Sequence, residues 1–171
     1  MKITRELLRQ WDDCYTDEKI AKLVPVAGLD PVQVADMEAV PVDDRIWVLL
    51  RRKVLGDSLP SVVAKIVERA IRRVLGNSGV PEWEIWALAW LAGERGRDLA
   101  MVAADAATRD SAWAAWAAAR AAARAADGSF WGAASDCSFV ARATVMAAAW
   151  AATNEEVEQT TQLSDIVAAL G

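Results

Sequence analysis

The sequence predicts an all-α fold, a single-domain multi-helix bundle, on three observations. Apolar residues recur at helical spacing along nearly the whole chain, the alternation typical of strands is almost absent, and alanine dominates from Asp98 onward. The length of 171 residues suits one domain, and 54% hydrophobic and 25% charged residues are typical of a globular chain. No segment has the composition of a linker. We therefore expect one domain over 1–171, with N-terminal helices over 1–79 and Trp/Ala-rich helices over 80–171.

Helix start and stop signals divide the N-terminal part. Acidic residues are favoured in the first turn of a helix, proline at its first position, and glycine just after its end. The pattern Asp30-Pro31-x-Gln33 is a start signal of this kind. The segment 60–75 is cleanly amphipathic, with its apolar side chains on one side. These signals predict helices over about Thr4–Trp11, after Thr16, after Asp30, from Asp43 or Asp44 to Gly56, and over Pro60–Leu75.

The Trp/Ala-rich part is divided in the same way. In its first helix, Trp83, Trp86 and Trp90 recur at helical spacing, which predicts a buried helix; the alternative is an exposed aromatic ridge that docks a partner. Between two alanine-rich helices, Asp127-Gly128-Ser129 is a compact stop and start, which predicts a long antiparallel helical hairpin. The expected helices are Pro81 to about Gly93, Asp98–Thr108, Asp110–Ala126, Ser129–Thr153, and a last one from Asn154 to near Gly171.

The stretch DSAWAAWAAARAAARAAD, residues 110–127, has two different sides at helical pitch. One side carries Trp113, Trp116, Arg120 and Arg124, and the other is almost entirely alanine. Alanine side chains allow close helix packing, so we expect the alanine face to lie against a neighbouring helix, with the 129–153 arm as one candidate. The Trp/Arg side either fills gaps between helices or is a partner-binding surface, because Trp and Arg are enriched in interface hot spots.

A row of cations lies on the amphipathic helix expected over 60–75. Lys65, Arg69, Arg72 and Arg73 share one side, and Glu68 can neutralise part of it through an i,i+4 pair with Arg72. The row is either a solvated face or a patch for phosphates or for an acidic protein surface. No aromatic residues are interleaved on that side, so stacking of nucleic-acid bases is not supported.

Catalytic and cofactor-binding patterns are missing from the sequence. There is no histidine, the two cysteines Cys14 and Cys137 are far apart, and no glycine-rich phosphate loop occurs. We expect no catalytic residue, no cofactor and no metal. A net charge of −5 disfavours a nucleic-acid partner. The charged N-terminus lacks the apolar region of a signal peptide, and no apolar stretch is long enough for a bilayer, which favours a cytoplasmic protein without a membrane partner.

Four segments, taken in order, resemble a family of small phage-encoded and immunity-type proteins. They are DDRIWVLLRRKVL, VVAKIVERAIRRVL, the block WAAWAAARAAARAA and NEEVEQTTQLSDIVAAL, and the resemblance covers roughly residues 40–170. The segment Asp44–Arg51 carries most of it. Two departures are visible. DGSFWG and DCSF interrupt the alanine block, and the helix before it lacks the cysteines usual in the family, so no thiol or metal role is carried over.

The resemblance implies an all-helical fold and a non-enzymatic binding role. The leading hypothesis is a phage-type inhibitor that binds a bacterial defence complex through protein–protein contacts, like an anti-CRISPR protein, and occludes or displaces a subunit. One alternative is an immunity protein that caps a toxin. Another, from the residues themselves, is a nucleic-acid-binding accessory protein that uses the basic helix 60–75.

Overall fold

Helices make up nearly all of the regular structure in the computed structural model, which describes residues 1–11, 15–109, 112–126 and 155–171. Within these ranges there is no β-strand, only one isolated antiparallel bridge between Ile3 and Leu29. The predicted all-α class is therefore confirmed. The helices are α1 (Arg5–Trp11), α2 (Asp17–Leu23), α3 (Pro31–Ala35), α4 (Val42–Leu49), α5 (Arg52–Leu55), a 3₁₀ turn (Gly56–Ser58), α6 (Leu59–Val74), α7 (Pro81–Leu91), α8 (Arg97–Arg109), α9 (Trp113–Ala126) and α10 (Glu155–Leu170).

The first three helices begin where the sequence signals predict. The Thr16 hydroxyl accepts a hydrogen bond from the backbone N–H of Lys19 at the start of α2. At the start of α3, the backbone N–H of Asp30 donates to Gln33 Oε1 at 2.9 Å. Just before it, Gly28 adopts φ +74°, and a Cβ there would lie 3.1 Å from the carbonyl oxygen of Ile3. Glycine is thus required where the chain passes the Ile3–Leu29 bridge.

The single helix expected between Asp43 or Asp44 and Gly56 is two helices, so that prediction was wrong. α4 already begins at Val42, which puts both aspartates inside its first turn rather than at its cap. The helix is interrupted at Arg51, whose backbone is extended at φ −107° and ψ 140°. The buried Arg51 guanidinium lies over the indole rings of Trp11 and Trp47, at 5.0 and 4.3 Å from their centroids. At the break, Arg51 therefore contacts both Trp47 of α4 and Trp11 of α1.

The core lies between α6 and the helices packed around it. The predicted apolar side of α6 is buried along its whole length, from Val63 to Val74. On α7, Trp83, Trp86 and Trp90 are buried, and successive rings lie at centroid distances of 5.5 and 5.7 Å. The tryptophan side is therefore buried, as expected, but the helix as a whole is not, because Ile85 and Leu88 on its other side are 71% and 59% exposed. The indole N–H of Trp83 donates to the carbonyl oxygen of Ala115 at 2.7 Å and thereby ties α7 to α9.

Helices α8 and α9 form an antiparallel pair through alanine faces. Met101, about two turns before the end of α8, contacts Arg120, about two turns after the start of α9, which fixes the antiparallel direction. α9 packs most extensively against α8 and next against α6. Of the alanines expected to be buried, Ala118, Ala121 and Ala122 are buried and Ala114 and Ala125 are half-buried.

The predicted 127–154 part of the hairpin lies outside the described residues. The expected turn at 127–129 and the expected helix 129–153 therefore remain predictions. α10 begins at Glu155, as the sequence indicates, and packs against α4, α3 and α6. It buries Leu163 and Ile166 in the core.

Candidate partner-binding surface

The Trp/Arg side of α9 is the face that its neighbouring helices leave least covered. Trp113, Trp116, Arg120 and Arg124 follow one another at i, i+3, i+7 and i+11, opposite the buried alanines. Trp113 is 69% exposed, and the other three are partly buried. We call these four residues the α9 stripe. The structure brings together the aromatic and basic residues that the sequence places on one side.

Two indoles form the N-terminal end of the α9 stripe. The rings of Trp113 and Trp116 meet edge to face, with centroids 5.9 Å apart and an interplanar angle of 79°. This arrangement is favoured by the quadrupoles of the rings, and it holds the exposed indole in a defined orientation. Among the tryptophans that the structure describes, Trp113 is the one that is exposed.

Arg120 lacks an acidic partner in the described part of the chain. Its Nη1 donates to the sulfur of Met101 at 3.1 Å, and a thioether is a weak acceptor. Its Nε is buried and has no hydrogen-bond partner. No described carboxylate forms an ion pair with it. The guanidinium is thus held in place largely by packing along the helix surface.

Arg124 lies one turn further along the same face. Burial lowers its pKa, and the positive charge of Arg120 lowers it further. Arginine remains protonated in proteins even so, which leaves two cations side by side on a partly buried surface. The lowered pKa therefore reflects burial first and the neighbouring charge of Arg120 second.

The cations predicted on the 60–75 helix are mostly engaged by α10. Lys65 pairs with Asp165 at 2.8 Å, and Arg69 reaches both Asp165 and Glu158, the latter at 3.1 Å. Arg73 also pairs with Glu158. Arg72 instead pairs with Glu68 at 2.8 Å within α6, as the i,i+4 spacing predicts. The four cations therefore do not form an open row.

Two of the acids of α10, Glu158 and Asp165, differ from ordinary surface acids. The Glu158 side chain is fully buried and also accepts a hydrogen bond from Gln162 Nε2 at 3.1 Å. For Asp165, burial raises the pKa, but the hydrogen bonds and charges of Lys65 and Arg69 outweigh burial and hold its pKa below the usual value. For Arg69, burial opposes the charge, but the same carboxylates raise its pKa overall.

Sequence reasoning missed Glu158, Gln162 and Asp165. A signal was present, because the two acids are seven residues apart and therefore share a face of α10, next to the apolar Leu163 and Ile166. Acids on an otherwise apolar face indicate a basic partner within the fold.

Other chemistry has little support in the described residues. They contain no group of three acidic, Cys or His side chains that could hold a metal ion, and no helix that could cross a membrane. A cavity of about 60 Å³ between α1, α2, α3 and α4 is lined mainly by aliphatic side chains, with the Tyr15 hydroxyl donating to Asp44 beside it. That volume is well below those of typical ligand pockets. Cys14 and Cys137 lie outside the described residues.

Comparison with known proteins adds no relative to these observations. No protein family model, no curated protein and no solved structure matches the chain.

Proposed function

We propose that the chain is a non-enzymatic, phage-type inhibitor that binds a bacterial defence complex, in the manner of an anti-CRISPR protein, and occludes or displaces one of its subunits. One observation carries the proposal. The α9 stripe presents an exposed, oriented indole, Trp113, on the same side of the helix as Arg120, a cation without a described acidic partner. Tryptophan and arginine are the residue types most enriched in interface hot spots. The proposed role places the chain in the cytoplasm of the bacterial host.

The α9 stripe is a better candidate surface than the basic helix. On α6, Lys65, Arg69 and Arg73 are already paired with carboxylates of α10. A nucleic-acid phosphate would have to displace the buried Glu158, which would leave that charge unpaired in the core. Binding through protein–protein contacts at α9 requires no such rearrangement.

The proposal is tested by phage challenge in bacteria that carry a defence system. Cells that express the chain should lose protection, so that plaque numbers rise towards those on undefended cells. The double variant Arg120→Glu/Arg124→Glu should restore protection, because it reverses both charges of the α9 stripe while keeping good helix formers. The double variant Lys22→Glu/Lys53→Glu makes the same change in net charge at exposed sites on α2 and α5 and should behave like the wild type.

Two results would overturn the proposal. If cells that express the wild-type chain keep their protection in every defence system tried, the chain is not an inhibitor of these complexes. If the chain instead rescued cells from a co-expressed toxin, the immunity role would replace it. Equal behaviour of the two double variants would exclude the α9 stripe as the surface concerned.

A further inference from the structure

We infer that the α9 stripe takes an acidic helix of a partner protein, with two carboxylates one turn apart and an apolar residue about two turns away from them. The inference rests on the proposed function, since it assigns the chemistry of the partner at the same surface.

Pairing of cations within the fold supports an acidic partner. On α6, Lys65, Arg69 and Arg73 each have a carboxylate of α10 within ion-pair distance. On α9, the described part of the chain supplies Arg120 only with the sulfur of Met101. A carboxylate is the group that an arginine pairs with most strongly, often through two parallel hydrogen bonds. A partner protein with carboxylates would supply the acidic group that the described part of the fold does not provide for Arg120.

The electrostatics of Arg124 point in the same direction. Its pKa is lowered first by burial and then by the charge of Arg120, so the two cations lie close enough to interact. A pair of carboxylates placed over both cations would remove this repulsion. The net charge of the chain is −5, so its overall field repels an acidic partner, and attraction has to come from local cations such as those of the α9 stripe.

The spacing of the α9 stripe matches the spacing of side chains on a partner helix. Four residues separate Arg120 from Arg124, which is about 6 Å along the helix axis. Carboxylates at i and i+4 on a second helix have the same separation. Trp113 lies about 10 Å before Arg120 on the same face, and its indole is held by Trp116. A helix lying along α9 would therefore place an apolar side chain against Trp113 and its acids against the arginines.

The test uses a designed helical peptide as probe and the full chain labelled with 5-fluorotryptophan. The alanine-based peptide has a leucine at its centre. On each side of this leucine it has two glutamates, placed at the same spacing from the leucine as Arg120 and Arg124 have from Trp113. The peptide can therefore bind along α9 in either direction. A second peptide has lysine in place of every glutamate. The ¹⁹F resonance of Trp113 is assigned by its loss in Trp113→Phe.

The glutamate peptide should shift the Trp113 resonance in a saturable manner, and the lysine peptide should not. Arg120→Glu/Arg124→Glu should weaken the apparent affinity at least about tenfold, whereas Lys22→Glu/Lys53→Glu should leave it unchanged. Binding should weaken as salt is raised, because exposed charges are screened. An equal shift with the lysine peptide, a response that survives charge reversal of the α9 stripe, or no response to the glutamate peptide would overturn the inference.

Failure of this inference is distinguishable from failure of the proposed function. If Arg120→Glu/Arg124→Glu abolishes inhibition in the phage assay but the glutamate peptide does not bind, the α9 stripe is the functional surface and its partner is not an acidic helix. If the peptide binds as expected but inhibition is absent or insensitive to the variant, the surface chemistry is correct and the proposed function falls.

Discussion

Replacement of Glu158 by glutamine tests whether the contact between α6 and α10 depends on a buried charge. The carboxylate is 0% exposed and lies between Arg69 and Arg73, whose side chains are 23% and 34% exposed. Glu158→Gln keeps the shape of the side chain and one oxygen acceptor but removes the negative charge. Both guanidinium groups would then remain in place with less negative charge to balance them.

The expected loss in the free energy of unfolding is about 3 kcal/mol. Removal of one partner from a buried ion pair costs about 3–5 kcal/mol, since the other charge stays buried without compensation. The lower end applies here, because Arg69 retains its contact with Asp165 and both arginines are partly hydrated. For a chain of this length, a loss of this size corresponds to a decrease in Tm of about 6–12 °C.

Urea unfolding, followed by tryptophan fluorescence and by circular dichroism, measures this loss directly. The matched control is Glu68→Gln on α6, which removes a more exposed carboxylate that pairs with Arg72 at i,i+4 and, at 3.8 Å, with Arg95. It should change the free energy of unfolding by no more than about 0.5 kcal/mol. Equal effects of the two substitutions would refute the reasoning, because they would show that burial of Glu158 adds nothing to its pairing.

Three further predictions concern packing, pH and backbone conformation. Ala118→Leu should lower the free energy of unfolding by about 1–3 kcal/mol, because Ala118 is fully buried in α9. As a control, Ala21→Leu on the exposed side of α2 should lower it by less than about 0.5 kcal/mol. Equal urea midpoints for the two variants would show that the alanine face is not closely packed. Because the pKa of Asp165 is lower in the folded than in the unfolded chain, its contribution to stability should be complete above about pH 4 and be lost as the pH falls further through the folded pKa. Asp165→Asn should remove this part of the pH dependence in urea unfolding between about pH 6 and 2, and an unchanged profile would contradict the assignment. In the same assay, Gly28→Ala should lower the free energy of unfolding by at least about 1–2 kcal/mol, and by more than Gly76→Ala does. Both glycines have positive φ, but of the two only Gly28 has backbone within 4 Å of the added Cβ. A larger loss for Gly76→Ala would exclude the close approach at Gly28.

Helix starts were predictable wherever the signal is local. The caps at Thr16 and Asp30 involve residues three positions apart, so the sequence contains both partners of each hydrogen bond. The break at Arg51 was not predictable in this way. Its guanidinium contacts Trp11, which lies 40 positions earlier in the chain, and nothing in the neighbouring residues indicates that contact.

The candidate surfaces differ in the same respect. Helical pitch alone places Trp113, Trp116, Arg120 and Arg124 on one side of α9, whatever the helix packs against. Whether that side or the alanine side is buried depended on the positions of α8 and α6. For the cations of α6, the sequence indicated a row, but the acids that pair with Arg69 lie 89 and 96 positions away on α10.

The amino-acid order of this chain was therefore enough to establish helical class, most helix starts and the two-sided character of α6 and α9, because each follows from residues within about two turns of one another. The partners of each charged or aromatic group were settled when distant helices came together. Burial and ion pairing depend on distances through space. A cation stays hydrated when no acidic helix packs beside it and is neutralised when one does. That is why Lys65, Arg69 and Arg73 became part of the contact with α10, while Trp113 remained at the surface.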